Sequence, residues 1–178
     1  MQNTIFIQYA RTPLGELIVG SFNEQLCLCD WRYRKMRISI DKRIQTLLNA
    51  SFTEADSAII RETKLQLDQY FKLERTQFDL PLLLAGSEFQ KRVWNALLEI
   101  PYGKTETYLG LSKILGDEKA IRAVAAANGA NAISIIVPCH RIVGSNGHLV
   151  GYAGGLLTKR KLLTLETALH EPQLSLFD

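Results

Sequence analysis

The sequence lacks the features of a membrane or secreted protein. It has no run of eighteen apolar residues, which is about the length that a helix needs to cross a bilayer. Its first residues, MQNTIFIQYA, place no basic stretch before an apolar one, as a signal peptide would. Apolar residues make up 47% and charged residues 22% of the chain, a balance typical of a globular protein. We therefore expect a cytoplasmic protein that does not bind a membrane.

Cysteine and histidine are scarce, with three of each in 178 residues. An odd, small number of cysteines argues against a disulfide framework, and reduced thiols fit a cytoplasmic location. No Cys-x-x-Cys motif occurs and the histidines show no zinc-ligand spacing, so we expect no metal and no other cofactor. Cys27 and Cys29 lie two apart on a predicted strand, which indicates two small core residues on one face of that strand.

The excess of basic residues is small and lies in the second half of the chain. The net charge is +3. Residues 86–166 hold ten basic and six acidic residues, an excess of four, whereas residues 1–85 hold eleven and ten, an excess of one. A local basic excess is typical of proteins that bind nucleic acids, although an excess of four does not by itself identify such a partner.

The first half predicts an antiparallel meander followed by helices. Short apolar runs separated by turn residues predict three strands, over residues 4–9, 16–22 and 25–31. Later apolar spacing predicts two helices and one additional edge strand, over residues 40–49, 54–73 and 77–84. The basic stretch at residues 32–37 is interpreted as a solvated loop in preference to a DNA contact.

The second half predicts a helix-turn-helix. Ser87 and Gln90 form a capping-box pattern that opens a helix over residues 88–99. Two short helices separated by a glycine-containing turn follow, over residues 107–115 and 118–129, which is the arrangement of a helix-turn-helix. The apolar run ISIIVP predicts a buried strand over residues 133–138, and a last helix is predicted over residues 158–169.

The second short helix, EKAIRAVAAANGA, is rich in alanine. Small side chains on a helix indicate either tight packing against a neighbouring element or a smooth face that approaches a groove closely. Composition does not separate these interpretations. The single Arg122 among the alanines favours the second.

Pro138-Cys139-His140-Arg141 is the sharpest chemical feature. It follows the predicted buried strand, so the Cys139 thiol should be held in a fixed position. A thiol reacts as its thiolate, and a histidine–carboxylate pair is a common means of generating one. Neighbouring side chains in an extended segment diverge, so we expect a bridging water between Cys139 and His140, with Glu166 to orient the imidazole. The alternative is a buried cysteine beside a surface histidine.

The stretch IVPCHRIVGSNGHLVGYAGG resembles the active site of the O6-alkylguanine-DNA alkyltransferases, also called methylated-DNA–protein-cysteine methyltransferases. The resemblance extends to Tyr108, Arg122, Asn131 and Glu166 and covers most of residues 86–167. Residues 1–85 match mainly through the TPLG turn. The resemblance implies an α+β fold in which a ribonuclease H-like α/β domain over residues 1–85 precedes a mostly helical, winged helix-turn-helix domain over residues 86–169, with a tail over residues 170–178.

The resemblance implies a role for each matching residue of the active site. Cys139 accepts the alkyl group, and His140 relays a proton through water to Glu166. Asn131 braces the turn before the active-site segment, and Tyr108 lies at the rotated phosphate and donates towards the departing guanine.

Other matching residues are implied to contact DNA or the flipped base. Arg122 is the finger that enters the base stack, and the remaining DNA contacts are at Tyr108, Ala120, Ala123 and Ser145. The base pocket is formed by Ile142, Val150, Tyr152 and Ala153. Some relatives carry serine where this chain has Ala153, so only its backbone N–H could reach O6.

The implied activity is DNA repair by a monomer that uses each molecule once. The protein would bind double-stranded DNA, flip the damaged base out of the stack and transfer its alkyl group to Cys139 irreversibly. The resemblance leaves O4-alkylthymine open as a second substrate. Three other functions are weighed: a Cys/His hydrolase, a lesion-binding protein without the cysteine, and a transcription factor. Adjacent Cys139 and His140 side chains diverge, which argues against the hydrolase. The presence of Cys139 argues against the lesion-binding protein, and the lack of base-reading side chains on the alanine-rich helix argues against the transcription factor.

The carboxy-terminal tail contains a second resemblance. Residues 173–177, QLSLF, resemble the pentapeptide with which bacterial repair proteins dock on the replicative sliding clamp. In such a peptide Leu176 and Phe177 would enter an apolar pocket while Gln173 bonds at its rim, and Leu174 would be a further clamp contact. The alternative is that these side chains pack on the protein's own surface. The sequence leaves both open.

Overall fold

The computed structural model describes residues 3–167. Its amino-terminal half is a four-stranded sheet with two helices, α1 (Arg37–Leu48) and α2 (Ala58–Phe71). The strands are β1 (Asn3–Thr12), β2 (Gly15–Phe22), β3 (Gln25–Trp31) and β4 (Ala50–Glu54), in the order β3-β2-β1-β4. The pairs β1–β2 and β2–β3 are antiparallel, which confirms the predicted meander, and β4 is parallel to β1.

Two details of this half differ from the prediction. The strand β4 occupies residues between the two predicted helices, because α1 ends at Asn49 in a left-handed conformation and Ser57 caps the start of α2. Residues 77–84 form no regular strand. Only Leu82 bridges to Leu26 at the free edge of β3, where the carbonyl of Pro81 accepts a hydrogen bond.

Cys27 and Cys29 are both buried, as predicted, but they face different sides of the sheet. The register of β2 and β3 shifts between Gly20, which pairs with Leu28, and Ser21, which pairs with Leu26. Cys27 is therefore a bulged residue, and the alternation of side chains is interrupted there. Cys27 packs with the core under α1, whereas Cys29 joins the core shared with the carboxy-terminal half.

The carboxy-terminal half is mostly helical. It contains α3 (Glu88–Leu98), α4 (Tyr108–Ile114), α5 (Ile121–Gly129) and α6 (Leu156–Leu165), with a small parallel sheet of β5 (Glu106–Thr107) and β6 (Ile142–Val143). The predicted capping box at Ser87 and Gln90 is present. Trp94 on α3 is buried and donates a hydrogen bond of 2.8 Å to the carbonyl of Ala127, which fixes α5 against α3. None of the helices in the described residues has the length and hydropathy to span a bilayer.

The predicted strand over residues 133–138 is wrong. This segment is buried, but it consists of turns with one bridge, between Ile133 and Cys29, and Ile135 has a positive φ of 71°. The side chain of Asn131 replaces the strand hydrogen bonds, because it accepts from Ile133 N and donates to Val137 O, with a length of 2.9 Å in both cases. A short apolar run indicates burial without specifying the backbone conformation.

The basic stretch at residues 32–37 is only partly a solvated loop. Tyr33 and Lys35 are exposed, but Arg34 is buried and forms an ion pair of 3.0 Å with Asp30, which has no exposed surface. Arg34 also donates to the carbonyls of Gly129 and Asn131, at the end of α5. The interpretation of a solvated loop is therefore wrong for Arg34, which links the two halves of the molecule.

This link generates a prediction about stability. Replacing Asp30 by Asn keeps the shape of the side chain but leaves buried Arg34 without a carboxylate, which typically costs about 3–5 kcal/mol. Urea unfolding should show a loss of this order in the free energy of unfolding. Asp68→Asn, which breaks an exposed pair with Lys72, is the control and should change it little. Equal, small losses in both variants would contradict the structural role of the buried pair.

Candidate active site

Cys139 lies at the base of a cavity of about 580 Å³ between the two halves of the molecule. It is the first residue of a short 3-10 turn, Cys139–Arg141, directly after Pro138, and only 4% of its surface is exposed. The cavity is lined from the amino-terminal half by Tyr33, Arg34, Lys35 and Met36, and from the carboxy-terminal half by Tyr108, Ala125, Asn128, Gly129, Asn131, Gly151, Tyr152, Ala153 and Gly155. Cys139 therefore faces a cavity whose walls come from both halves.

The environment of Cys139 keeps the thiol protonated at rest. Burial raises the pKa of Cys139, and the net effect remains upward although a hydrogen bond with Asn131 and the charges of Lys159 and Arg34 oppose it. A base is therefore needed to generate the thiolate. The amide of Asn131 also holds the turn that leads to Cys139, because it accepts from Ile133 N and donates to Val137 O.

His140 is the nearest candidate for that base. The imidazole is buried, and its Nε2 lies 2.9 Å from Oε1 of Glu166. Burial lowers the pKa of His140, and Glu166 only partly offsets this effect. Among the described residues its Nδ1 has no hydrogen-bond partner. A neutral imidazole whose Nε2 donates to a carboxylate has a free lone pair on Nδ1, which can accept a proton.

Glu166 is the predicted carboxylate, and it is held by more donors than the sequence indicated. Its Oε1 accepts from Tyr70 Oη at 2.7 Å, His140 Nε2 at 2.9 Å and Arg141 Nη2 at 3.0 Å, and its Oε2 accepts from Arg141 Nε at 2.9 Å. Burial opposes ionisation, but the hydrogen bonds and charges of His140 and Arg141 outweigh it and lower the pKa of Glu166 to about 2. The carboxylate therefore remains ionised throughout the neutral range.

Sequence reasoning missed three residues of this site. Arg141 lies inside the PCHR motif, so its signal was present. Tyr70 comes from the other half of the chain, where no local pattern links it to Glu166. Lys159 is a fully buried lysine whose amine donates to the carbonyls of Ile142, Val150 and Gly151, at 2.5, 2.8 and 3.2 Å. The one sign of its burial in the sequence is its spacing from the apolar residues Leu162 and Leu163 on α6. Burial lowers the pKa of the Lys159 ammonium to about 8.

The predicted base pocket is only partly reproduced by the cavity. Tyr152 and Ala153 line it, whereas Ile142 is fully buried beside it and Val150 is exposed outside its lining. The Tyr152 hydroxyl accepts a hydrogen bond of 3.1 Å from Trp31 Nε1. The Tyr152 ring meets the rings of Trp31 and His140 edge to face, with centroid distances of 6.2 and 6.3 Å. A side chain at Gly154 would collide with Trp31 at 2.7 Å, so this glycine lets the loop approach the sheet.

The residues predicted to contact DNA come from the start of α5, the start of α4 and the turn after β6. Arg122 and Ala123 are exposed on its first turn, Ala120 is half-buried just before it, and Tyr108 is half-buried at the start of α4. Ser145 is exposed in the turn after β6. The same helix supplies Ala125, Asn128 and Gly129 to the cavity, so α5 connects the exposed Arg122 to the surroundings of Cys139.

The fold and the site together define a two-domain protein with one candidate nucleophile between the domains. The model of the 6-O-methylguanine DNA methyltransferase DNA binding domain matches residues 88–168, and the model of the ribonuclease-like domain of the same enzymes matches residues 5–84. The chain therefore belongs to the 6-O-methylguanine DNA methyltransferase family.

Two relatives match over nearly their whole length. The chain is 44% identical over 155 residues to a methylated-DNA–protein-cysteine methyltransferase of Methanosarcina acetivorans, covering 87% of this chain and 94% of the relative. It is 44% identical over 170 residues to the protein of the same name from Mycobacterium leprae, covering 94% and 95%. Among solved structures, Mycobacterium tuberculosis OGT in complex with DNA has a TM-score of 0.79 and 38% identity, covering 98% and 99%.

Proposed function

We propose that this protein repairs double-stranded DNA by moving the alkyl group of O6-alkylguanine irreversibly onto its own Cys139. The observation that carries the proposal is the burial of Cys139 in a cavity that α5 also lines, next in the chain to His140, whose Nε2 lies 2.9 Å from the ionised Glu166 carboxylate. The names of the relatives support the reaction, and the DNA complex of the M. tuberculosis relative supports the partner.

The transfer begins with a proton. His140 Nδ1 takes the thiol proton of Cys139 through a bridging water, and the resulting imidazolium is stabilised by Glu166. The thiolate attacks the alkyl carbon, so that a C–S bond forms as the C–O6 bond breaks. The electron pair of that bond passes to guanine, whose N1 takes a proton from the Tyr108 hydroxyl. The His140 imidazolium releases its proton to solvent, and solvent reprotonates Tyr108. The product thioether has no good leaving group, so each molecule reacts once.

The cavity requires the damaged base to leave the helix. A base inside a duplex cannot reach a buried thiol, and flipping it costs a few kcal/mol. We assign Arg122 to the gap left in the stack, Tyr108 to the phosphate and the departing guanine, and Ala120, Ala123 and Ser145 to further DNA contacts. The exposed small side chains of α5 would let its backbone approach a narrow minor groove.

Finer features of the fold and of the substrate range belong to the same proposal. The sheet order β3-β2-β1-β4, with β4 parallel to β1, supports a ribonuclease H-like amino-terminal domain over residues 1–85. The arrangement of α4, α5 and the β5–β6 pair supports a winged helix-turn-helix over residues 86–169. Tyr152 and Ala153 would contact the flipped base directly, with Ile142 and Val150 behind the same loop. O4-alkylthymine is a second substrate to be tested.

Two further proposals concern partners and location. The tail lies outside the described residues, and its sequence QLSLF supports docking on the bacterial sliding clamp through Gln173, Leu174, Leu176 and Phe177. A clamp contact would bring a single-use protein to newly copied DNA. We also propose a monomer in the cytoplasm, a location that suits the small, odd number of cysteines.

The proposed reaction has a direct mass-spectrometric test. After incubation with duplex DNA containing O6-methylguanine, the intact protein should gain the mass of one methyl group, and peptide mapping should place it on Cys139. Cys27 and Cys29 serve as internal controls, because both are buried in the core. Methyl transfer to a Cys139→Ala variant, or more than one methyl group per molecule, would overturn the proposal.

Arg122 should contribute to the repair rate mainly when the damaged base must be flipped out of a duplex. Arg122→Ala is expected to slow repair of duplex DNA far more than reaction with the free base O6-benzylguanine, because a free base needs no extrusion. The measurement is the ratio of the two rate constants. Arg11→Ala, at an exposed arginine of β1, is the matched control and should leave this ratio unchanged. Equal losses on both substrates would place the action of Arg122 in the pocket instead of the stack.

A further inference from the structure

Glu166 joins the two halves of the molecule as well as the groups of the active site. Three of its four hydrogen bonds come from His140 and Arg141, on the 3-10 turn of Cys139. The fourth comes from Tyr70, on α2 of the amino-terminal half, and is 2.7 Å long. The roles assigned above to the active-site residues leave this shortest contact without a function.

Tyr70 is built into the core as a permanent hydrogen-bond donor. It has no exposed surface, and its ring packs at 5.3–6.2 Å from the rings of Phe71, Phe78 and Tyr102. Burial and the neighbouring charge of Glu166 raise the pKa of Tyr70 far above its ordinary value. The phenol therefore keeps its proton and donates a hydrogen bond to Glu166. It does not act as an acid or a base in the transfer.

The decisive point is which oxygen Tyr70 contacts. Oε1 is also the oxygen that accepts from His140 Nε2. A donor on that oxygen stabilises the carboxylate charge and weakens the attraction that the same oxygen exerts on an imidazolium. The Tyr70 hydroxyl thus competes with His140 for the same charge.

We propose that Tyr70 is a positioning residue of the proton relay, whose hydroxyl limits the negative charge that Oε1 of Glu166 presents to His140 and so sets the pH range of thiol activation. The inference rests on the proposed function, because it takes Cys139 as the reacting thiol. Tyr70 acts through Glu166 and touches neither substrate nor thiol.

Other groups also act on the His140–Glu166 pair and stay in place when the Tyr70 hydroxyl is removed. The Arg141 guanidinium binds both oxygens of Glu166, and the charges of Arg141 and Lys159 disfavour protonation of His140. Tyr102 donates to the carbonyl of Leu165 over 3.3 Å, and the Tyr152 ring lies against His140. Replacing Tyr70 by Phe therefore changes one hydrogen bond to Glu166 and leaves the surrounding charges unchanged.

The sign of the expected change follows from the proton balance. Thiol and neutral imidazole convert to thiolate and imidazolium when the proton of Cys139 passes to Nδ1. A His140 that is already protonated cannot accept this proton, so the reaction rate rises as pH increases through the pKa of His140. Without the Tyr70 hydroxyl, Glu166 stabilises the imidazolium more strongly and raises that pKa. The rising limb should move to higher pH, and the rate above it should increase.

Iodoacetamide tests this without DNA. Its reaction forms a bond between the Cys139 sulfur and carbon and releases iodide, so it reports the reactive thiolate directly. The rate of Cys139 modification, mapped by mass spectrometry, is measured against pH for the natural protein, Tyr70→Phe and Tyr102→Phe. Tyr102→Phe is the matched control. It removes a hydroxyl from the same aromatic cluster, but this hydroxyl donates to the backbone carbonyl of Leu165 and not to the Glu166 carboxylate.

We expect the midpoint of the rising limb to shift to higher pH in Tyr70→Phe and to stay in place in Tyr102→Phe. An unmoved midpoint, or a shift to lower pH, would overturn the assignment. A second variant carries 3,5-difluorotyrosine at position 70, which keeps the ring and makes the phenol a stronger donor. It should move the midpoint in the opposite direction, and the same midpoint as the natural protein would also overturn the assignment.

This test separates the inference from the proposed function. If Cys139 gains a methyl group from damaged DNA but the midpoints do not move, the assignment of Tyr70 fails and the repair function stands. If damaged DNA never methylates Cys139, the repair function fails whatever the iodoacetamide profiles show.

Discussion

The structure of the active site depends on one buried carboxylate, that of Glu166. Four hydrogen bonds from Tyr70, His140 and Arg141 compensate for its removal from water, and a buried charge without such partners would be strongly unfavourable. Because Glu166 stays ionised, His140 must carry its proton on Nε2, which leaves Nδ1 as the basic atom. The fold thus fixes the tautomer of the histidine before any substrate arrives.

A second buried carboxylate, that of Asp30, fixes the position of Arg34, which lines the cavity. Asp30 holds Arg34, and Arg34 bonds the last carbonyls around the end of α5, next to the turn braced by Asn131. Backbone hydrogen bonds from Cys29 to Ala132 and from Ser134 to Cys29 attach that turn to the sheet. The amino-terminal half therefore supports both the turn before the reacting thiol, through Arg34 and Cys29, and the carboxylate at the end of α6, through Tyr70.

The sequence predicted those parts of the molecule that are encoded locally. The meander, the capping box at Ser87 and the succession of α3, α4 and α5 follow from short patterns, and the PCHR motif pointed to Cys139. The strand predicted over residues 133–138 failed because burial alone does not determine backbone conformation. Tyr70 and the cross-links of Arg34 were missed because Glu166 and the carbonyls of Gly129 and Asn131 lie about a hundred residues away in the chain, and no local pattern encodes such pairs.

The central claim is that Glu166 holds His140 as a neutral imidazole with its proton on Nε2, ready to accept the thiol proton on Nδ1. Nitrogen-15 NMR of the histidine side chains tests this most directly, with His140 assigned by its loss in a His140→Gln variant. At neutral pH we expect a protonated Nε2 and an unprotonated Nδ1 in the unreacted protein. An imidazolium, or a neutral ring protonated on Nδ1, would contradict it.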